Sequence, residues 1–389
     1  MDRASKENKI SQIIKAVFIA ILFIIMLSGI VRAVFMPKDI NYYENRGANK
    51  ISALTLLSYL SGNFQDSMED ALSDQIPAAQ ELKKEYNTLN SKYIVNILLK
   101  EIDAHPETFF EYNDMYFYKG YILWVPFDLD SCRTEFGETA ESFNLAMKNN
   151  PDVPFYIYYG ESDAIIDFSK NEKTPVYEYI NSLLDIPEDR IAKFDISDFD
   201  TYKELFYKTD HHWNYKGAYK GYQEVMALLG CEEELMKPVE EITLPYSFAG
   251  SKSKECGLTE LKEIPTVYKF DYPDYGFKYG EEEEIISGEI QEFSYELFYG
   301  GNYGIMMLDT NRPERENILV IGDSFDNAVL KLIASHYNKT VSIDMRNLDD
   351  YLQGESFNIT EFIKANDIDK VLIMASQVVF SSGEYILES

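Results

Sequence analysis

Apolar and polar positions repeat with different periods along this chain of 389 residues, and each change of period marks a change of structure. Residues 16–31 are an uncharged apolar run, about 24 Å long as a helix. Counting from 13 to 35 gives roughly 34 Å, enough for a bilayer if Lys15 and Arg32 carry their charges out to the headgroups. We read 13–35 as one transmembrane anchor behind a short cytoplasmic tail, 1–12. A cleaved signal peptide is the alternative, but Val31-Arg32-Ala33 puts a charge where cleavage sites avoid one. From 41 to about 102 the period is helical, with Tyr59, Phe64, Met68, Ala71 and Leu72 spaced for one face, so 36–110 is expected to be a helical juxtamembrane stalk or cover.

The period then shortens. Segments 115–118 and 121–124 flank Lys119-Gly120 as a hairpin. Beyond them a helix at 138–148, a strand at 154–159, a helix at 176–184 and a strand at 194–196 follow one another. A helix at 215–229 presents Ala218, Tyr222, Val225, Met226 and Leu229 inward. Ile318, Leu319, Val320 and Ile321 read as a buried parallel strand leading into a helix at 325–336. A strand at 340–343, a helix at 360–366 and a strand at 371–374 complete a β-α-β-α-β run, which predicts an α/β three-layer sandwich with a mainly parallel sheet over 111–389. Between about 235 and 312 an aromatic-rich, β-rich insertion interrupts it.

Composition narrows the function. A formal charge of −30 argues against nucleic acid and against adhesion to anionic lipid. Cys132, Cys231 and Cys256 show neither zinc-finger nor Cys-x-x-Cys spacing, so no metal knuckle or redox pair is indicated. One disulfide or three thiols both fit. The carboxylates at 281–284 lack the alternating pattern of a calcium loop and read as solvated. No cofactor is indicated.

Two motifs carry chemistry. Gly322-Asp323-Ser324 is a tight strand-to-helix turn that exposes a serine hydroxyl beside the first amides of a helix, a nucleophile with half an oxyanion hole from the Ser324 or Phe325 amide. Asp323 shapes the turn, and Asn327 follows in the first helical turn. Asp210-His211-His212-Trp213 places a carboxylate two residues from an imidazole, close enough to hold one ring nitrogen while the other takes a proton from the serine. Of the remaining histidines, His336 falls at a helix end and His105 in a loop. Ser251 and Lys254 match Ser-x-x-Lys but lack its helical start and companion motifs, and were set aside. The insertion's tyrosines suit strand packing more than sugar stacking.

Together these motifs resemble the DHHW proteins of the SGNH-hydrolase-like superfamily, which are similar to alginate-type polysaccharide O-acetyltransferases. Glu44-Asn45-Arg46, Asp74-Gln75-Ile76-Pro77, Tyr158-Tyr159 and Ile343-Asp344-Met345-Arg346 extend the resemblance over most of the chain beyond the anchor, although Ala78 and Ala79 stand where that family has an arginine. The resemblance implies an SGNH-like fold and extracytoplasmic acetyl transfer to or from a cell-envelope polysaccharide. It also implies a multi-pass membrane acyltransferase as donor. Ser324, His212 and Asp210 would form the triad, with Phe325, Arg346, Trp213 and His211 at the substrate or oxyanion. Two other readings stay open: a degenerate glycan-binding scaffold, and a metal-dependent phosphoesterase using Asp210-His211-His212 as manganese ligands.

Overall fold

The computed structural model describes residues 3–38, 40–41, 46–76, 78–104, 110–112, 115–279, 295, 303–348, 352 and 357–389. His105, Glu44, Asn45, Pro77 and the 281–284 carboxylates lie outside the described residues. The chain divides into two compact units, 1–95 with 257–259, and 96–256 with 260–389.

In the first unit, α1 (Arg3–Phe35) contains a span from Gln12 to Phe35 long and apolar enough to cross a membrane, the one such helix among the described residues. A short helix, α2 (Leu56–Ser61), is closed by Gly62 at a φ of +91°, and α3 (Asn63–Gln75) starts at once. That break in direction undoes the expected single face: Ala71 is buried, whereas Tyr59 and Met68 are exposed. The end of α3 ties down the preceding chain instead. Gln75 accepts from the Lys38 amide at 2.7 Å, and Asp74 accepts from the Asn49 amide at 2.8 Å. Helix α4 (Ala79–Ala104) follows.

The second unit is built on a seven-stranded sheet: β1 (Phe155–Gly160), β2 (Ile191–Phe194), β3 (Gly276–Tyr279), β4 (Ile305–Asp309), β5 (Ile318–Gly322), β6 (Lys339–Ile343) and β7 (Lys370–Ala375). The spatial order is β3-β4-β6-β5-β7-β1-β2. Strands β6, β5, β7, β1 and β2 pair in parallel, and β4 and β3 continue the sheet by antiparallel pairing. The insertion's last two strands thus belong to the main sheet. Its remaining hairpin pairs Glu240–Thr243 with Thr266–Lys269.

Helices α5 (Arg133–Asn149), α6 (Val176–Leu183), α7 (Phe199–Leu205), α8 (Tyr215–Leu228), α9 (Ser251–Glu255), α10 (Asn327–Ala334), α11 (Ile359–Ala365) and α12 (Gln377–Ser381) complete the unit. The step β5-α10-β6 moves one way along the sheet and β6-α11-β7 moves back past β5, so right-handed crossovers put α10 and α11 on opposite faces. All five residues of β5 are buried, which is why that strand is apolar without alternation. It ends in the middle of the sheet, at the switch in strand order where α/β folds place their sites.

Three expected boundaries moved for local reasons. The strand near 194 ends at Phe194 because the Ile196 amide leaves the ladder for Glu161 at 2.8 Å. Helix α5 starts at Arg133 rather than 138, directly after a tight turn at Leu129–Cys132. Helix α10 starts at Asn327 rather than 325, because Asp323 captures the Phe325 amide at 3.0 Å and holds the first residues in a turn. None of the three cysteines forms a disulfide.

Candidate active site

Ser324 sits two residues beyond the end of β5, half-buried in the turn before α10. Gly322 is required there: a Cβ would come within 2.5 Å of Asp326 Oδ2. Asp323 is committed to the turn on both sides, accepting from the Phe325 amide and, at 2.6 Å, from the Ser376 hydroxyl.

The second half comes from the loop between α7 and α8. Its ends are fixed by an isolated bridge between Phe206 and Trp213 and by the Asn214 side chain, which caps α8 through the Lys216 and Gly217 amides. Within it Asp210 Oδ1 accepts from His212 Nδ1 at 2.6 Å and from the His212 amide at 3.0 Å. His212 Nε2 then lies 2.8 Å from Ser324 Oγ. These three residues, 112 positions apart at the widest step, form one continuous hydrogen-bonded chain. Burial pushes the Asp210 carboxyl up, but His212, His211 and the Ser251 amide outweigh it and hold it well below the usual carboxylate range.

The insertion holds this loop. The Ser251 amide donates to Asp210 Oδ2 at 2.8 Å, and the Ser251 hydroxyl meets His211 Nδ1 at 2.6 Å. Glu263 accepts from the Lys208 and Thr209 amides and the Thr209 hydroxyl at 2.7 to 3.0 Å. Gly250 passes so close to the loop that a Cβ would stand 2.5 Å from that of Asp210. Behind Ser251, Lys252 is fully buried and pairs with Asp163 at 2.6 Å.

Aromatic rings fix the imidazole from the side. Tyr295 stacks on His212 with centroids 3.8 Å apart and planes 7° apart, and its hydroxyl takes the Trp213 indole N–H at 2.9 Å. Trp213, expected at the substrate, is only 1 % exposed and packs on Phe194 and Phe325, so it supports the site from within. The Phe325 amide, expected at the oxyanion, is taken by Asp323. The Ser324 amide has no hydrogen-bond partner among the described residues and is the donor left at that turn. Arg346 clamps Asp344 with two bonds of 2.9 and 2.7 Å while 29 % of its side chain stays exposed. His336 bonds Tyr222 at 2.7 Å and Glu233 at 3.3 Å and belongs to another part of the fold.

Sequence reasoning missed Ser251, Glu263, Lys252 and Tyr295. A short helix does begin at Ser251, although the companion motifs of Ser-x-x-Lys are absent, and the partner of Ser251 is His211. No spacing announces that contact.

Asp210, His211 and His212 are also the one cluster of potential metal ligands among the described residues. All of their donor atoms except His211 Nε2 are already engaged: both Asp210 oxygens accept N–H groups, His212 uses both ring nitrogens, and His211 Nδ1 faces a hydroxyl. That hydrogen bonding fits proton transfer better than ligation.

No family model matches the chain, and no curated protein matches it either. Solved structures do. A DHHW family protein from Eubacterium siraeum superposes with a TM-score of 0.58 at 15 % identity, over 72 % of this chain and 98 % of that one. PatB1 of Bacillus cereus with a sulfonyl adduct gives 0.54 at 17 % identity, over 73 % and 100 %, and PatB1 alone gives 0.52 at 17 %, over 72 % and 98 %. At such identities the likeness speaks for architecture alone, and the architecture is the α/β fold shared with the DHHW family protein and PatB1.

Proposed function

We propose that this protein is a serine-dependent acyltransferase or esterase of the DHHW type, moving an acyl group, acetyl by the resemblance, to or from a cell-envelope polysaccharide. The observation that carries the reading is the chain from Asp210 Oδ1 through His212 to Ser324 Oγ, with contacts of 2.6 and 2.8 Å at a half-buried serine. Such a chain has one chemical consequence. His212 takes the Ser324 proton as Oγ attacks an acyl carbonyl, Asp210 stabilises the imidazolium, and the Ser324 amide faces the developing oxyanion. The leaving group departs with the proton. The acyl-serine then passes its group to a hydroxyl or to water by the reverse sequence.

The SGNH-like fold and the sulfonyl adduct on PatB1 support this reading. So does the Gln12–Phe35 span, which fits a single-pass anchor with 111–389 as an extracytoplasmic catalytic domain and 36–110 as its stalk. A multi-pass acyltransferase in the same membrane would supply the acyl group.

The test is covalent labelling of the purified full-length chain with phenylmethanesulfonyl fluoride, together with p-nitrophenyl acetate hydrolysis. A sulfonyl adduct on the peptide holding Ser324, and acetate release that Ser324→Ala abolishes, are the expected results. Equal labelling and equal hydrolysis in wild type and variant would refute the reading in favour of a glycan-binding scaffold.

A further inference from the structure

The loop holds a second imidazole beside the first. His211 and His212 lie with ring centroids 3.8 Å apart and planes 35° apart. His212 Nδ1 bonds Asp210 Oδ1 at 2.6 Å, and His211 Nδ1 lies 3.9 Å from the same oxygen. With Nδ1 taken up by the Ser251 hydroxyl, Nε2 is the ring nitrogen of His211 left without a partner among the described residues. His212 Nε2 ends at Ser324 Oγ, and the His211 ring stands directly beside that imidazole. The His211 ring is 29 % exposed, unlike His212 at 3 %.

Its tautomer follows from Ser251. That hydroxyl is buried, and its one partner among the described residues is His211 Nδ1 at 2.6 Å. If Nδ1 carried the proton, the Ser251 O–H would be buried with nothing to donate to, which is costly. Ser251 therefore donates to Nδ1, and the proton sits on Nε2. Burial and the adjacent His212 push the His211 imidazole well below its ordinary value against the pull of Asp210, which keeps the ring neutral.

We propose that His211 is a substrate-binding residue whose Nε2–H hydrogen-bonds the oxygen of the incoming acceptor hydroxyl and turns that hydroxyl's proton toward His212 Nε2. This rests on the acyl-serine reading above and adds the acceptor's binding group to it. In the transfer step the acceptor oxygen bonds the acyl carbon, its proton passes to His212, the Ser324 Oγ–acyl bond breaks, and His212 returns the proton to Oγ. His211 holds the acceptor oxygen throughout and gains or loses no proton.

The role separates the two half-reactions. An activated ester expels a leaving group that needs no proton, so acylation calls on His211 far less than deacylation does. In the full-length chain acting on p-nitrophenyl acetate, His211→Phe is expected to slow deacylation about tenfold more than acylation, a hydrogen bond's worth of selective loss. Acetyl-Ser324 would then accumulate, visible as a larger p-nitrophenol burst and by intact mass. His211→Gln, which retains an N–H donor, should recover part of the loss. Ser251→Ala should let the His211 15N shifts, which report the Nε2–H tautomer in the wild type, move toward a tautomer mixture.

A purely structural role would slow both half-reactions together, because both use His212. Equal slowing, no slowing, or a wild-type His211 in the Nδ1–H form overturns the proposal. No acetyl adduct on wild-type Ser324 refutes the acyl-serine reading itself, and the proposal with it.

Discussion

Lys252→Met tests whether the support beneath the catalytic loop is as rigid as its geometry implies. The Lys252 ammonium and the Asp163 carboxylate are 2.6 Å apart with both side chains at 0 % exposure, and Lys252 also donates to the Tyr202 hydroxyl at 2.9 Å. Methionine nearly fills the lysine's volume, so the change removes a charge and leaves packing in place. Asp163 keeps the Trp124 amide, 2.7 Å away, and loses its ammonium partner. Stranding one member of a buried pair costs about 3–5 kcal/mol. For a unit of roughly 290 residues, about 2.1 cal/mol/K per residue gives an unfolding entropy near 0.6 kcal/mol/K, so Tm should fall by about 5–8 °C.

Asp163→Asn added to Lys252→Met removes the stranded charge while a carboxamide oxygen can still accept from Trp124. The double variant should cost only about 1–2 kcal/mol, roughly 2–3 kcal/mol less than Lys252→Met alone. Thermal unfolding of the full-length chain in detergent, followed by near-UV circular dichroism, measures all four corners of the cycle. If Lys252→Met lowered Tm by under about 2 °C, or the double variant were no better than the single, the pair would not be the buried anchor described here.

Other substitutions probe the site directly. Asp210→Asn should lower kcat for p-nitrophenyl acetate by ~10⁴-fold while near-UV circular dichroism shows the fold intact, because the carboxamide sets the wrong His212 tautomer. Gly250→Ala should destabilise the unit by about 1–3 kcal/mol and slow acetate release, since the new Cβ meets Asp210 Cβ at 2.5 Å and the Thr209 carbonyl more closely still. Asp326→Asn addresses pH. Burial, with Asp323 and Asp344 nearby, raises the Asp326 carboxyl well above its ordinary value, so the folded state keeps a proton that the unfolded state releases above about pH 3.9. Stability from this group is complete below that pH and falls as pH rises toward the folded value. Asp326→Asn should therefore raise Tm more at pH 8 than at pH 4, and an equal change at both would refute the shift.

What was legible in the chain was what depends on local order. Strand β5 declares itself by an unbroken apolar run, and the Gly322-Asp323-Ser324 turn must be tight because so few residues separate it from α10. Asp210 and His212 are two residues apart, so their contact is nearly a local property too. Contacts between distant segments were not legible. Nothing in the spacing of Ser251 or Glu263 links them to residues 208–211, and Tyr295 stacks on His212 from across the insertion. The Trp213 and Phe325 expectations failed for a related reason: adjacency to a reactive residue says nothing about which way the neighbouring group faces. The indole turned into the core, and the amide turned to Asp323.

The insertion's part in the site follows from where donors are needed. The 208–213 loop has no ladder or helix to satisfy its backbone, yet it must hold a carboxylate and two imidazoles in register with a serine on another element. Glu263 satisfies the Lys208 and Thr209 amides, the Ser253 amide satisfies the Thr209 carbonyl at 3.1 Å, and Gly250 donates to the Thr209 hydroxyl at 3.1 Å. With the loop's polar groups accounted for in this way, Ser251 can give its amide to Asp210 and its hydroxyl to His211. One five-residue helix thus anchors the acid and sets the tautomer of the second histidine together. A carboxylate fixed by backbone donors does not reorient as charge develops on His212, so the reorganisation that water would require is met in advance. The placement of Asp210 is consequently a property of residues 248–263 as much as of the motif that contains it.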